Sequence, residues 1–208
     1  MTEYLPQLLL AWSIQLVGVA SPGPGVALIL GVATSRGRAA SLVTALGIAC
    51  GAVVLAIVTV LGLAVIFAQI AGLMTLVRLI GAAYLAYLAW TSFRKALHPP
   101  ALKIGAGGER SIARTALAGF LLQITNPKAI FFWLAVAGAG GVGGAPLPVV
   151  AVFVFGAFVN SLCGHGAYAL VLSSAPVRRA YGRARGWIES GLGTFFLFAS
   201  YKLARSGG

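Results

Sequence analysis

Long stretches without a charged residue are the strongest constraint on this chain. Residues 4–35, 39–77 and 129–177 contain no Asp, Glu, Lys or Arg, which gives uncharged runs of 32, 39 and 49 residues. One helix needs about 20 mainly apolar residues to cross a bilayer, so each of the two longer runs has room for two spans. Only 9% of all residues are charged, whereas an ordinary soluble domain has about 25%. We therefore predict an integral membrane protein.

Six transmembrane helices are predicted in an all-α fold. The spans are 5–33, 41–68, 72–93, 115–137, 147–175 and 187–204. The loops after the first, third and fifth spans carry 11 Lys and Arg residues, against only Lys202 and Arg205 on the other side. Because Lys and Arg accumulate in cytoplasmic loops, both termini are predicted to lie outside the cytoplasm. The net charge of +12 then reflects orientation in the membrane, and nucleic acid is not an expected partner.

The spans divide into two halves of three, which together form a single membrane domain. The predicted parts of residues 1–208 are a first repeat at 1–96, a cytoplasmic linker at 97–113 and a second repeat at 114–208. Three is an odd number, so the second half enters the membrane from the opposite face, which is the condition for an inverted repeat. A Cys-Gly pair in the second span of each half, at 50–51 and 163–164, supports the repeat.

Proline interrupts the first span of each half near mid-membrane. The residues at the two breaks are Pro22, Gly23, Pro24, Gly25, Asn126 and Pro127. In hydrocarbon an unpaired backbone group costs several kcal/mol, so a break needs protein or water around it. A half-helix that starts there directs free N–H groups and a partial positive charge into the cavity, which suits a carboxylate. A simple kink is the alternative, and we favour a substrate site.

Lys128 is the most informative single residue. It follows Arg114 by 14 residues, which places it about 21 Å along a helix that rises 1.5 Å per residue. A charge at that depth costs at least about 2.5–3.5 kcal/mol on insertion scales and usually faces a functional cavity. The alternative is that Lys128 snorkels to the outer face. We expect it to bind the substrate carboxylate and to exchange a proton.

Other polar and aromatic residues inside the spans are candidates for the same site. Those predicted to bind substrate are Gln15, Gln123, Tyr84 and Trp133. Besides Lys128, the proton-coupling candidates are His165 and Glu189. Each has a structural alternative, since amides also join helices and Glu189 lies in the first turn of the predicted sixth span, where a carboxylate complements the helix dipole. Scattered single His, Cys and Glu residues predict no metal site, and no cofactor is expected.

Several segments together resemble the LysE/RhtB superfamily of amino-acid exporters over nearly the whole chain. They are SPGPG at 21–25, SRGRAA at 35–40, RLIGAAYLAYLAW at 78–90 and GFLLQITNPKAIFFW at 119–133. The resemblance implies a small carrier of the bacterial cytoplasmic membrane that expels amino acids at the expense of the proton gradient. It also implies that the proline motifs and Lys128 occupy signature positions, and that a basic residue at Arg78 is ordinary for the family. One departure is the glycine-rich segment 135–146, where members commonly have a Pro-Gln-Phe-like turn.

The resulting hypothesis is a secondary transporter that exports small neutral amino acids such as threonine, homoserine or leucine by alternating access. A cationic substrate would need a buried carboxylate partner, and Glu3, Glu109 and Glu189 all lie near span ends or in a loop. The expected partners are the amino acid, protons and the lipid bilayer, with a homodimer as a possible assembly. The alternative is a transmembrane thiol-disulfide relay through Cys50 and Cys163, which we disfavour because neither cysteine lies near a proline break.

Overall fold

The structure, a computed structural model, describes residues 2–69, 73–98, 111–138 and 142–205, and these residues are almost entirely helical. A short 3-10 helix at Thr2–Tyr4 precedes seven α-helices. They are α1 (Leu5–Ala20), α2 (Pro24–Gln69), α3 (Leu73–Leu97), α4 (Ile112–Thr125), α5 (Pro127–Gly138), α6 (Leu147–Val171) and α7 (Ala175–Arg205). The described residues contain no strand, in agreement with the predicted all-α class.

Both proline motifs interrupt helices at the predicted places. Helix α1 ends at Ala20, and α2 begins at Pro24. Helix α4 ends at Thr125, α5 begins at Pro127, and the two are bent by 54° at the break. Proline lacks the N–H that an uninterrupted helix needs, but it fits the first position of a new helix. Each motif therefore ends one half-helix and starts the next.

Length and hydropathy identify the segments that can cross a membrane. In the described part of the chain, Pro24–Gly62 and Leu147–Val171 are each long and apolar enough, and the bent pair of α4 and α5 makes a third segment if it counts as one span. Large apolar side chains are widely exposed on the helix surfaces, for example Leu61 at 62% and Phe155 at 69%. Such exposure suits a lipid environment and disfavours water.

Two predicted boundaries differ from the structure. The loop expected after the first span is reduced to Gly37, whose φ of 81° and ψ of −175° are not helical, so that α2 consists of two helices joined at a kink there. Glycine adopts this conformation readily. The sixth span was predicted to begin at residue 187, yet α7 begins at Ala175. Arginine is a good helix former, so the basic segment continues the helix instead of forming a loop. Most of the linker 97–113 lies outside the described residues.

Helix α5 lies between two apolar cores, and this fixes the position of its first turn. Trp133 and Val136 pack in one core with residues of α1, α2 and α6. Phe132 and Ala135 pack in the other core with residues of α3 and α7. Because the two pairs lie on different faces of α5, the helix is held from both sides. Lys128 in its first turn is therefore set at a defined place.

Helices α2 and α4 approach each other closely through glycine. A Cβ at Gly47 would overlap the carbonyl of Ala116, and a Cβ at Gly119 would overlap the carbonyl of Thr44. Small residues allow such backbone contact between helices, which is a common basis of helix association in lipid. These contacts place the first part and middle of α4 against α2, and Gly51 packs on Gln123 near the end of α4.

We predict that Gly47→Ala destabilises the protein because its methyl group overlaps the α4 backbone. The free energy of unfolding should fall by about 1–3 kcal/mol, as is typical of overpacking. Gly62→Ala is the matched control, since a Cβ there meets nothing within 4 Å. Thermal unfolding in detergent measures both variants, and a Gly47→Ala unfolding temperature at or above that of Gly62→Ala would contradict the packing.

Candidate functional site

A cavity of about 50 Å³ lies where the two helix breaks meet. This is room for a few water molecules, since one water needs about 10–15 Å³. Its wall is formed by α1, the start of α2, the end of α4, the first turns of α5, and α6. Nine of the predicted site residues line it: Gln15, Gly23, Pro24, Gly25, Gln123, Asn126, Lys128, Trp133 and His165.

Lys128 joins the two breaks directly. Its Nζ donates a hydrogen bond of 2.6 Å to the backbone carbonyl of Ser21. In an uninterrupted helix that carbonyl would accept from the N–H four residues later, but α1 ends at Ala20 and leaves it available. The ammonium group is bound by a carbonyl inside the protein, which argues against snorkelling. Sequence reasoning missed Ser21, because its role depends on a backbone atom that only the helix end makes free.

The starts of the two half-helices differ in how their N–H groups are satisfied. At α5, the side-chain Oδ1 of Asn126 accepts from the backbone N–H of Lys128 at 3.1 Å. At α2, no described side chain caps the N–H groups of Gly25 and Val26, and both residues line the cavity. Among the described residues, the start of α2 thus offers two N–H groups without a side-chain cap to an anion, whereas one N–H at the start of α5 is already capped.

The two glycines of the first motif make room for polar side chains from other helices. A Cβ at Gly23 would lie 3.1 Å from Nζ of Lys128. A Cβ at Gly25 would lie 3.3 Å from Nε2 of His165. Both distances are tighter than ordinary van der Waals contact, so a larger residue would push against these groups. The sequence identified both glycines as helix breakers, and the structure adds this steric reason.

Two predicted amides have different environments. Gln15 donates to the carbonyl of Ala157 at 2.8 Å and accepts from Asn160 at 3.1 Å, and so ties α1 to α6. Gln123 is 8% exposed and makes no hydrogen bond to any described residue. A buried amide without a partner is costly, so Gln123 is the amide that is free to bind a ligand or water in the cavity.

Four predicted site residues do not line the cavity. Pro22 is buried beside it, and Pro127 is exposed at the start of α5. Tyr84 stacks on Phe131 with ring centroids 4.2 Å apart, on the α3 side of α5. Glu189 is fully buried on α7. The side chain of Arg78 lies outside the part of the chain that the structure describes.

The interpretation of Glu189 as a first-turn residue is wrong. Helix α7 begins at Ala175, so Glu189 lies in the helix interior, far from the N-terminal end of the helix dipole. Its two carboxylate oxygens are buried and make no hydrogen bond to the residues described. Ser92 and Lys95 of α3 are near the carboxylate, and the charges of Arg185 and Lys128 also act on it. The error arose because the basic segment before residue 187 suggested a loop, whereas α7 already begins at Ala175.

The thiol relay is not supported. Cys50 and Cys163 are both free and exposed on the helix surfaces. Neither cysteine lines the cavity. A relay needs thiols whose thiolates are stabilised, for example at a helix N-terminus, and both cysteines lie in helix interiors.

Comparison with known proteins identifies the family to which this site belongs. The profile of the LysE type translocator family matches residues 16–207. The chain belongs to the LysE type translocator family. The predicted resemblance is thus confirmed, and a membrane translocator is indicated in place of an enzyme.

Curated relatives of this translocator cover most of its length. It is 30% identical to a threonine efflux protein of Escherichia coli strain K12 over 189 residues, which cover 88% of this chain and 90% of the relative. It is 28% identical to a threonine efflux protein of Salmonella typhi, with the same coverage. An uncharacterized membrane protein of Haemophilus influenzae is 25% identical over 93% of this chain and 94% of its own. No solved structure gives a significant match.

We predict that Asn126→Ala loosens the start of α5 in this translocator. The substitution removes the oxygen that caps the N–H of Lys128, and loss of such a cap costs about 0.5–2 kcal/mol. Asn126→Ser keeps a capping oxygen and should lose much less. Thermal unfolding in detergent compares the two variants, and equal unfolding temperatures would show that the cap contributes nothing.

Proposed function

We propose that this translocator exports small neutral amino acids, such as threonine, homoserine or leucine, across the bacterial cytoplasmic membrane. The observation that carries the proposal is one cavity in which the Lys128 ammonium and the uncapped start of α2 meet. Both groups are positive and both favour an anion. A free carboxylate is the group that every amino acid can present to them. The similarity to relatives named threonine efflux proteins supports this substrate class.

The chemistry of the cavity favours a neutral side chain on the substrate. Among the described residues no carboxylate lines the cavity. Glu3 is exposed near the N-terminus, and Glu189 is buried between α3 and α7. A lysine or arginine substrate would bring a second positive charge beside Lys128 without an acidic partner, which is strongly unfavourable in a low dielectric.

Paired packing of the two halves supports an inverted repeat of six spans. Gly51 of α2 packs on Gln123 of α4, and Gly164 of α6 packs on Val19 of α1. The two glycines hold matching positions in the halves, and each faces the first half-helix of the opposite half. In such repeats, substrate binds between the broken helices and the halves rock around it. Alternating access is therefore the proposed mode of transport, with both termini outside the cytoplasm.

Proton coupling is proposed to centre on Lys128. When the site is empty, its ammonium has a neutral carbonyl at Ser21 as partner. A substrate carboxylate offers a charged partner and a stronger hydrogen bond. Lys128 can thus keep its proton while substrate is bound and release it after substrate leaves. This would link the transport of substrate to the transport of protons. His165 in the cavity and Glu189 on α7 are the other titratable candidates.

A substrate screen tests the proposed function. Purified protein in proteoliposomes with an imposed proton gradient should export threonine, homoserine or leucine, and a protonophore should abolish accumulation against a gradient. Lysine and arginine should not be exported, because no described acid in the cavity pairs with them. Protein-free liposomes are the control. Export of lysine or arginine without export of any neutral amino acid would contradict the proposal.

A further inference from the structure

We propose that Nε2 of His165 receives the ammonium group of the substrate while Lys128 and the start of α2 hold its carboxylate. This inference rests on the proposed function, because it assigns a binding partner to the ammonium group of the same amino acid. His165 lies on α6, is only 7% exposed and lines the cavity. It is therefore buried among protein groups with one face toward the substrate space.

The hydrogen bonds of His165 define which nitrogen can accept. Its Nδ1 lies 3.0 Å from the backbone carbonyl of Ser161 and 3.3 Å from the Ser161 hydroxyl, which can either donate or accept. A carbonyl oxygen only accepts, so we assign the proton to Nδ1. In the neutral ring Nε2 then carries a lone pair. The described residues provide no hydrogen-bond donor to Nε2, which makes it an unpartnered acceptor in a buried position.

The position of Nε2 fits an amino acid bound at the start of α2. Nε2 faces Gly25, where a Cβ would lie 3.3 Å from it. The N–H of the same residue belongs to the open end of α2, where the carboxylate is expected. The ammonium and carboxylate groups of an α-amino acid are attached to one carbon. A carboxylate on the N–H groups of α2 therefore brings the ammonium group within reach of His165.

Most other acceptors in the cavity wall are already engaged. In the empty site the Ser21 carbonyl accepts from Lys128, and it becomes free only when substrate replaces it; Oδ1 of Asn126 caps α5. Oε1 of Gln15 accepts from Asn160. Gln123 is the remaining free amide, and it lies on α4 against Gly51, whereas His165 lies beside Gly25. His165 is thus the free acceptor that lies beside the predicted carboxylate site, and Gln123 serves as the competing position in the test.

The experiment measures how each variant distinguishes threonine from its analogue without the amino group, 3-hydroxybutyrate. The KM for threonine export and the inhibition constant of the analogue are determined in proteoliposomes. His165→Asn keeps a donor near Ser161 but removes the acceptor at the position of Nε2. The KM for threonine should therefore rise about tenfold or more, as expected for loss of a hydrogen bond to a charged group. The inhibition constant of 3-hydroxybutyrate should stay within about twofold of the wild-type value. This analogue has no ammonium group, so it makes no hydrogen bond to His165 that the substitution could remove.

Matched variants complete the test. His165→Gln can place an amide oxygen near the position of Nε2 and should restore most of the preference for threonine. His98→Asn makes the same change at an exposed histidine at the end of α3 and should match the wild type. Gln123→Ala should reduce the preference for threonine over 3-hydroxybutyrate less than His165→Asn does.

Several results would overturn the assignment of His165. One is an unchanged KM for threonine in His165→Asn. Another is an equal rise of the KM for threonine and of the inhibition constant of 3-hydroxybutyrate in that variant. The third is a loss of the preference for threonine over 3-hydroxybutyrate in Gln123→Ala but not in His165→Asn. If the His165→Asn protein cannot be reconstituted, the His165→Gln variant tests the assignment. Loss of its preference for threonine over 3-hydroxybutyrate would contradict an acceptor role of residue 165. Failure of the wild type to export any neutral amino acid would instead refute the proposed function, so the two outcomes are distinguishable.

Discussion

The hydrogen bond from Lys128 to the carbonyl of Ser21 is the contact on which the rest of this structure depends. Each group alone is unfavourable in a membrane: a central charge costs at least about 2.5–3.5 kcal/mol on insertion scales, and an unpaired carbonyl costs several kcal/mol. At 2.6 Å they satisfy each other. The break in one helix thereby provides the partner for the lysine that follows the break in the other.

The same contact explains how the proposed site could switch between empty and loaded states. A neutral carbonyl is a weaker partner for an ammonium group than a carboxylate, so substrate can replace Ser21 at Lys128. Release of Ser21 removes the hydrogen bond between the end of α1 and the first turn of α5, while α5 stays held between its two apolar cores through residues such as Phe132 and Trp133. Binding can therefore alter the relation between the halves without disturbing the position of the lysine.

Much of this arrangement could be predicted from the sequence because its causes are local. Uncharged runs predicted the helices, prolines predicted both breaks, and the depth of Lys128 predicted that it faces a cavity. What could not be predicted depends on tertiary contacts. Ser21 contributes a backbone atom, Gln15 is occupied by a hydrogen bond to α6, and Glu189 is buried because α7 starts earlier than its charges suggested. No residue type signals these roles in advance.

The most direct measurement of the central claim is threonine export by Lys128→Met in proteoliposomes under an imposed proton gradient. Methionine keeps the length of the side chain but removes the charge, so the variant should fold and show no export above protein-free liposomes. Lys202→Met is the matched control, since Lys202 is exposed near the end of α7 and its ammonium lies over the ring of Phe198. It should export at the wild-type rate. Export by Lys128→Met at the wild-type rate would contradict the account, because substrate binding would then not need the lysine that joins the two breaks.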